Sequence, residues 1–422
     1  MTIPSSSIAI IGGAISGCTV AAELIRAGHN VTVYERSQGR LEERGVGLTM
    51  RIPTLEELKN RDLIDYDFPY VPVWSRTYAR PWLDKPSNDW PWDVYWKEPV
   101  AIHAAHWGVL YRNLRKRVPD AVYKQGVEIV NLVQSNDATV EVIMVDGSRE
   151  SYDLVISADG YDSVGRRELF PDADQQLTNY FSWRGMIEEV DVPRPEIFEE
   201  DIVFFGYEGG HGFIYFVPSL EYGDGSGKRR LNWAFQEIIT DKKVPGVPPD
   251  NDGNVQARTA PGAATPEQIS YCRKYAREVF PSYFADIVDL TEQPFTQPIR
   301  DIGVPGYVSG RICLMGDAAI YARPHVGAGA NKALEDALDF SDAFSEHNDI
   351  DSALRAWEER RNPLGQDLLE LGRSLGKHIV TDTPDWYTLN QSNMTDWWDK
   401  VVENHFWFWT EDVANWHPTG GR

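Results

Sequence analysis

Apolar residues along this chain come in two textures. Near the N-terminus Ile8-Ala9-Ile10-Ile11 is apolar at every position, as a parallel strand buried on both faces requires. Gly12-Gly13 breaks the run, "SGCTVAAELIRAG" then predicts a helix ending at Gly28, and "HNVTVYER" predicts a second strand ending at Glu35. The same strand-then-break pattern returns in "DLVISADGYDSVGRR" (153–167) and in "GRICLMGDAAIYARPHVGAGANKALEDALDF" (310–340), the latter continuing as a helix from about Ala330. Residues 181–297 have a different texture. There "IVFFGY", "GFIYFVP" and "LNWAFQE" predict antiparallel strands of one sheet, followed by a helix in "PEQISYCRKYAREVF". "YGDGSGKRR" predicts a turn, and the Pro/Gly-rich stretch 241–267 an exposed loop. Residues 74–107, with six tryptophans among prolines and charges, predict an irregular loop or short strands.

The first unit is strand, glycine turn, helix, strand and acid, the context in which a glycine turn binds a dinucleotide. Gly12 permits the tight turn, Gly17 permits close packing of helix on strand, and the helix N-terminus offers free N–H groups to a pyrophosphate. Glu35, eighteen residues after Gly17, is placed to accept hydrogen bonds from a ribose diol. Ala14 stands where such a turn has its second glycine; it adds one methyl group, so the turn still serves. The turn alone does not choose between NAD and FAD. The 310–340 segment reads as a strand delivering Asp317 to a ligand hydroxyl. A glycine-rich loop then lets backbone N–H groups and a helix N-terminus approach a polar ring edge such as a flavin pyrimidine.

In this order and spacing, the three segments resemble the dinucleotide, DG and GD motifs of the single-component flavoprotein aromatic hydroxylases, the family of 4-hydroxybenzoate and salicylate hydroxylases. Asp159-Gly160, Ser163 and Arg166 match the DG motif; Gly316-Asp317, Pro324, Gly327 and Gly329 match the GD motif; "ALRAWEERRNP" is similar to a further family helix. The resemblance runs from about residue 8 to 375. It implies an α/β fold: a glutathione-reductase-type Rossmann FAD-binding domain with a smaller antiparallel-sheet substrate domain. The expected division is 1–180 with 298–380 for FAD, 181–297 for substrate, and an aromatic-rich tail at 381–422.

The resemblance also implies roles. Gly12, Ala14, Ile15, Ser16 and Gly17 would meet the pyrophosphate, and Glu35 with Arg36 the adenosine ribose. Asp159 would serve cofactor placement, Gly316-Asp317 the ribityl chain, and Pro324, Gly327, Ala328 and Gly329 the isoalloxazine; Arg44 is a further flavin contact. Trp107 occupies the place of a polar flavin contact common in the family ("HWGVLYRNL"), Ile320 that of a common histidine, and His325 follows the proline instead. These departures, with "SWRG" and "GGHGFIYFVP", look most like the dihydroxypyridine hydroxylase branch. FAD is the implied cofactor, with NADH or NADPH as a transient reductant. The implied reaction is NAD(P)H- and O2-dependent hydroxylation, through a flavin hydroperoxide, of a small electron-rich aromatic or N-heteroaromatic ring. Oxidative decarboxylation, epoxidation or ring expansion by the same flavin is the alternative, a non-catalytic FAD-binding protein ranks lower, and a halogenase lower still.

His211 and His325 are candidate acid–base groups because histidine titrates near neutrality, and Arg184 is a candidate for holding an anionic substrate oxygen. Trp183, Tyr215, Phe216 and Trp233 are candidates for the pocket wall, with their faces unassigned. Composition adds exclusions. The 422 residues carry a net charge of −23, which argues against nucleic acid and anionic lipid as partners. Three cysteines without metal-like spacing (Cys18, Cys272, Cys313) point away from a metal site or disulfide framework and toward a reducing, cytoplasmic setting. The apolar N-terminal stretch is interrupted by glycines and carries Glu23, so neither a signal peptide nor a membrane span is expected. The tail's six tryptophans (386, 397, 398, 407, 409, 416) are expected to dock as packing on the body or on a homodimer partner; a substrate lid is the alternative.

Overall fold

The computed structural model describes residues 3–82, 90–135, 139–173, 175–221, 227–239 and 262–418. The apolar N-terminal strand Ser7–Ile11 lies inside a six-stranded sheet, between Leu154–Ser157 and Asn30–Glu35. Ile312–Leu314 and Tyr123–Gln125 extend it in parallel, and Val308–Ser309 adds a short antiparallel edge. The three glycine breaks of the sequence therefore sit at the carboxyl ends of three adjacent parallel strands, where an open α/β sheet binds its ligands. Helix Ile15–Arg26 packs on this sheet and against helix Gly329–Glu346, so the first and third motifs share one core. A three-stranded sheet (Ile129–Ser135, Thr139–Met144, Arg149–Tyr152) completes this half.

The second layer is an eight-stranded sheet in the order Phe295–Ile302, Gln175–Glu188, Arg229–Ile238, Gly210–Pro218, Asp201–Tyr207, Val71–Arg80, Asp93–His106, Gly47–Arg51. All its pairings are antiparallel except Asp201–Tyr207 with Val71–Arg80. Three of the eight strands come from residues 47–106, ahead of the stretch 181–297 expected to hold the substrate sheet. The tryptophan-rich region is not an irregular loop: 71–80 and 93–106 are long paired strands, because Trp92 and Trp96 bury their rings in the sheet's core. The 241–267 loop lies outside the described residues up to 261, as does 222–226 of the expected turn. Helices Pro266–Val279 and Ser282–Leu290 cover one face of the sheet. Thr265 and Gln268 form a reciprocal capping box that starts the first of them where the sequence predicts.

The tail folds back onto its own chain. Trp386, Trp398, Trp407 and Trp409 are buried in the core of the eight-stranded sheet, while Trp416 stays exposed. All three cysteines are free and buried. Among the described residues no cluster of three or more His, Cys, Asp or Glu could hold a metal, and no helix is long and apolar enough to cross a membrane.

Candidate active site

Two adjoining cavities open where the six-stranded sheet meets the eight-stranded one, one of about 880 Å³ and one of about 380 Å³. Ala14, Trp107, Ala158, Gly160, Arg184 and Tyr321 are among the residues that line both, so the two form one continuous trough.

The larger cavity begins at the first glycine turn. Gly12 has φ +94°, and a Cβ there would lie 2.3 Å from the Ala158 carbonyl oxygen; a Cβ on Gly17 would lie 1.9 Å from the carbonyl oxygen of Gly12. Only glycine allows the turn and the helix to approach this closely. Helix Ile15–Arg26 starts at Ala14 without a side-chain cap and with no acid in its first turn, leaving its N–H groups for an external anion. Glu35 accepts hydrogen bonds from Gly13 N–H (3.0 Å) and Ser37 N–H (2.8 Å) and still lines the cavity, as does Arg36, which lies 3.8 Å from Asp162. Asp159 takes Val164 N–H on Oδ2 (2.7 Å), while its Oδ1 is buried with no hydrogen-bond partner. Burial raises its pKa.

The DG and GD motifs are bolted together. Arg166, buried, donates to the carbonyl of Ala318 (2.9 Å) and to that of Tyr161. Gly316, at φ +62°, leaves no room for a Cβ beside Ser16 Oγ. Behind it, Lys332 donates to the Gly316 carbonyl (3.0 Å) and to Asp336 (2.6 Å), and Asp336 accepts from Gly316 N–H (3.1 Å) and Arg361 (2.8 Å). This buried ion network, which sequence reasoning missed, holds Asp317 toward the smaller cavity. Burial raises the Asp317 carboxyl to about 6, against the opposing pull of Lys332. Pro324, Gly327, Ala328 and Gly329 line the same cavity with Ile15 and Ser16. Helix Gly329–Glu346 again starts without a side-chain cap or an acid in its first turn. The Arg44 side chain lies outside those described.

These observations fit a flavin dinucleotide: two uncapped helix N-termini, a turn a Cβ would fill, an unpartnered buried carboxylate oxygen, and acids placed at Glu35 and Asp317 for hydroxyls.

The sheet supplies the far wall by strand alternation. Ser182 and Arg184, His211, Phe213 and Tyr215, and Ala234 and Gln236 line the smaller cavity. Their neighbours Trp183, Phe216 and Trp233 do not, which corrects three of the four expected wall residues. Trp183 donates to Glu237 (2.9 Å), Trp233 donates to Thr291 (2.8 Å), and Phe216 lies under Arg229 and beside Phe198, all on the helix-covered face. Tyr215 is the one that faces the cavity. Arg184 donates to Gln297 (2.8 Å), and its Nε is buried without a partner.

His211 and His325 stand together, ring centroids 5.6 Å apart, and His325 Nε2 is 2.9 Å from the Tyr180 hydroxyl. Arg323, 3.4 Å from that hydroxyl, is held by buried Asp301 (2.7 Å). Neither histidine titrates near neutrality, the property that singled them out. Burial takes His211 down to about 3, with Gln236 opposing, and takes His325 well below its usual value, aided by His211 and Arg323. Both rings are neutral at pH 7.

A stability prediction follows from His211. Its folded pKa lies below its unfolded value, so the unfolded chain binds the proton more tightly. Its contribution is complete above about pH 6.5 and is lost as pH falls toward the folded value. Between pH 6.5 and 4.5 the wild type should lose roughly 2 kcal/mol more than H211Q, measured by urea denaturation of both proteins at the two pH values. Equal losses would show that burial does not hold this ring neutral.

Comparison with known proteins gives a consistent picture. A family model described as FAD binding domain-like matches residues 177–301. Over 394 residues the chain is 27% identical to 2,6-dihydroxypyridine 3-monooxygenase of Paenarthrobacter nicotinovorans, covering 90% of this chain and 93% of that one. It is 23% identical to a salicylate hydroxylase of Pseudomonas putida, covering 85% and 82%. Its fold is similar to the solved 2,6-dihydroxypyridine-3-hydroxylase of Arthrobacter nicotinovorans, with TM-score 0.79 and 24% identity over 92% of this chain and 97% of that one.

Proposed function

We propose, from the premise that this chain belongs to the FAD-dependent aromatic hydroxylases and is a flavoprotein monooxygenase, that it uses NAD(P)H and O2 to hydroxylate a small electron-rich ring of the dihydroxypyridine type. The observation that carries the reading is the 380 Å³ cavity, with the GD loop on one side and a sheet face bearing Arg184, His211 and Tyr215 on the other. FAD, which the Gly12–Gly17 turn, Glu35 and Asp317 would hold, would supply the redox chemistry: hydride acceptance from NAD(P)H and O2 activation for transfer of one oxygen atom.

The chain's own residues bind, orient and exclude water. The Arg184 guanidinium, half-buried beside Tyr215, Tyr321 and Gln297, holds a ring oxygen in its anionic form, and that charge makes the ring carbon a nucleophile. His211, neutral and with its Nδ1 buried without a partner, accepts a hydrogen bond from a ring hydroxyl and so positions the ring, and the Tyr180 hydroxyl beside His325 orients that second imidazole. Phe204, Phe213 and Val326 keep the cavity apolar, which suppresses wasteful release of peroxide. The larger cavity, with Glu35, Arg36 and Asp159, takes the adenosine end of FAD and leaves the mouth at Tyr161 and Arg167 for a visiting nicotinamide nucleotide.

The test is NADH and NADPH oxidation by the purified yellow protein with and without 2,6-dihydroxypyridine, counting peroxide. Strong stimulation with little peroxide is the expected result. Stimulation with one peroxide per NAD(P)H would make the compound a mimic of the true substrate. No stimulation would remove the dihydroxypyridine class and move the search to larger phenolic or indolic rings. Product analysis separates hydroxylation from decarboxylation, epoxidation or ring expansion.

A further inference from the structure

The substrate cavity has a wall that belongs to neither sheet. Trp409, from the C-terminal segment, lines it beside Phe204, Thr49 and the flavin-loop glycine Gly327. A Cβ on Gly327 would stand 2.8 Å from Thr49 Oγ1 and 3.0 Å from the Trp409 ring, so loop and indole are in close contact.

The segment is tied down on both sides of this residue. Arg51, at the end of strand Gly47–Arg51, lies 3.4 Å from Glu411, 3.5 Å from Asp412 and 3.2 Å from Glu335. On the other side Trp407 stacks on Trp409 (5.2 Å, 25°), and the buried Arg76 guanidinium lies 3.8 Å above Trp398 and 5.5 Å from Trp407. Further back, His405 meets Asp367 at 2.7 Å. The indole is thus held in one position against the cavity by charge pairs and stacking, as a rigid contact surface must be.

We infer that the tail forms part of the substrate site, with Trp409 as the ring-contacting residue that limits the site to flat, single-ring aromatic substrates. The inference rests on the hydroxylase reading above.

Trp409 is suited to a clean test because its Nε1 is buried without a hydrogen-bond partner. Replacing it by phenylalanine removes ring area and no hydrogen bond. W409A and W409F are compared with wild type for bound FAD and for kcat and KM on a stimulating one-ring substrate and a two-ring analogue. Stacked aromatic contact is worth about 0.5–1.5 kcal/mol. W409A should therefore raise KM for the one-ring substrate by roughly three- to tenfold and gain turnover of the two-ring analogue, with FAD still bound. W409F should shift the same ratio in the same direction by a smaller factor. If W409A does not fold, W409F alone decides: a one-ring to two-ring ratio unchanged from wild type overturns the inference. A stimulated wild type with unchanged ratios in both variants overturns the inference alone. A wild type that no aromatic compound stimulates overturns the function reading, and this inference with it.

Discussion

Gly17→Ala should produce protein that retains little or no FAD. The added methyl would sit 1.9 Å from the Gly12 carbonyl oxygen, a backbone atom inside a turn that is itself held against Ala158. No side chain can rotate away, so helix Ile15–Arg26 must shift off the sheet. That shift would move its uncapped N-terminus away from the position proposed for the pyrophosphate. Overpacking of this kind costs about 1–3 kcal/mol, which expressed in FAD binding is roughly a ten- to hundredfold loss of affinity. The check is the FAD-to-protein ratio after gel filtration, followed by titration of stripped protein with FAD. Gly39→Ala is the control, because a methyl there meets nothing within 4 Å. A G17A protein purified with full FAD would mean that the helix N-terminus does not hold the cofactor.

Asp336→Asn should have the second large effect, on stability as well as cofactor. Asp336 is fully buried and accepts hydrogen bonds from Lys332, Arg361 and Gly316 N–H. Burial pushes its carboxyl up, but Lys332 and Arg361 pull it further down, and the net pKa lies below the usual aspartate value. The contribution is thus present above the unfolded pKa and lost as pH falls through the folded one. Removing the charge at neutral pH leaves buried Lys332 without its carboxylate and Arg361 with only Glu335, 3.6 Å away, a loss of about 3–5 kcal/mol. Because the same carboxylate fixes Gly316, the Asp317 position should loosen too. Melting temperature and FAD content at pH 7 should therefore fall together. Wild-type melting in D336N would show that the network contributes nothing to the fold.

The motifs were legible because each is a local event. An apolar strand, a glycine break and a helix start lie within about twenty residues of one another in "IAIIGGAISG", and the same holds around Asp159 and Asp317. Backbone sterics alone make those positions identifiable. The sheet wall was less legible. Strands such as 181–188 and 229–238 are buried on both faces, since helices cover one face and the cavity on the other is roofed by the 324–329 loop and by tail residues. With both faces buried, alternation cannot say whether Trp183 or Arg184 points to the ligand. The partnerless polar groups offer a signal after the fact: Arg184, His211 and Gln236 each carry a buried polar atom without a hydrogen-bond partner, and all three line the smaller cavity.

The sequence by itself determined that this chain builds a parallel α/β sheet with three glycine-marked strand ends, and that a dinucleotide fits the first of them. Only the tertiary structure decided which side chains of the second sheet face the cavity. It also decided that His211 and His325 meet, that Asp336 braces Gly316 through Lys332 and Arg361, and that Trp409 reaches a loop residue eighty-two positions earlier. The physical reason is one of range. Turn and helix geometry is set by neighbouring residues, whereas pKa values, ion networks and cavity walls depend on burial and on partners brought together by packing.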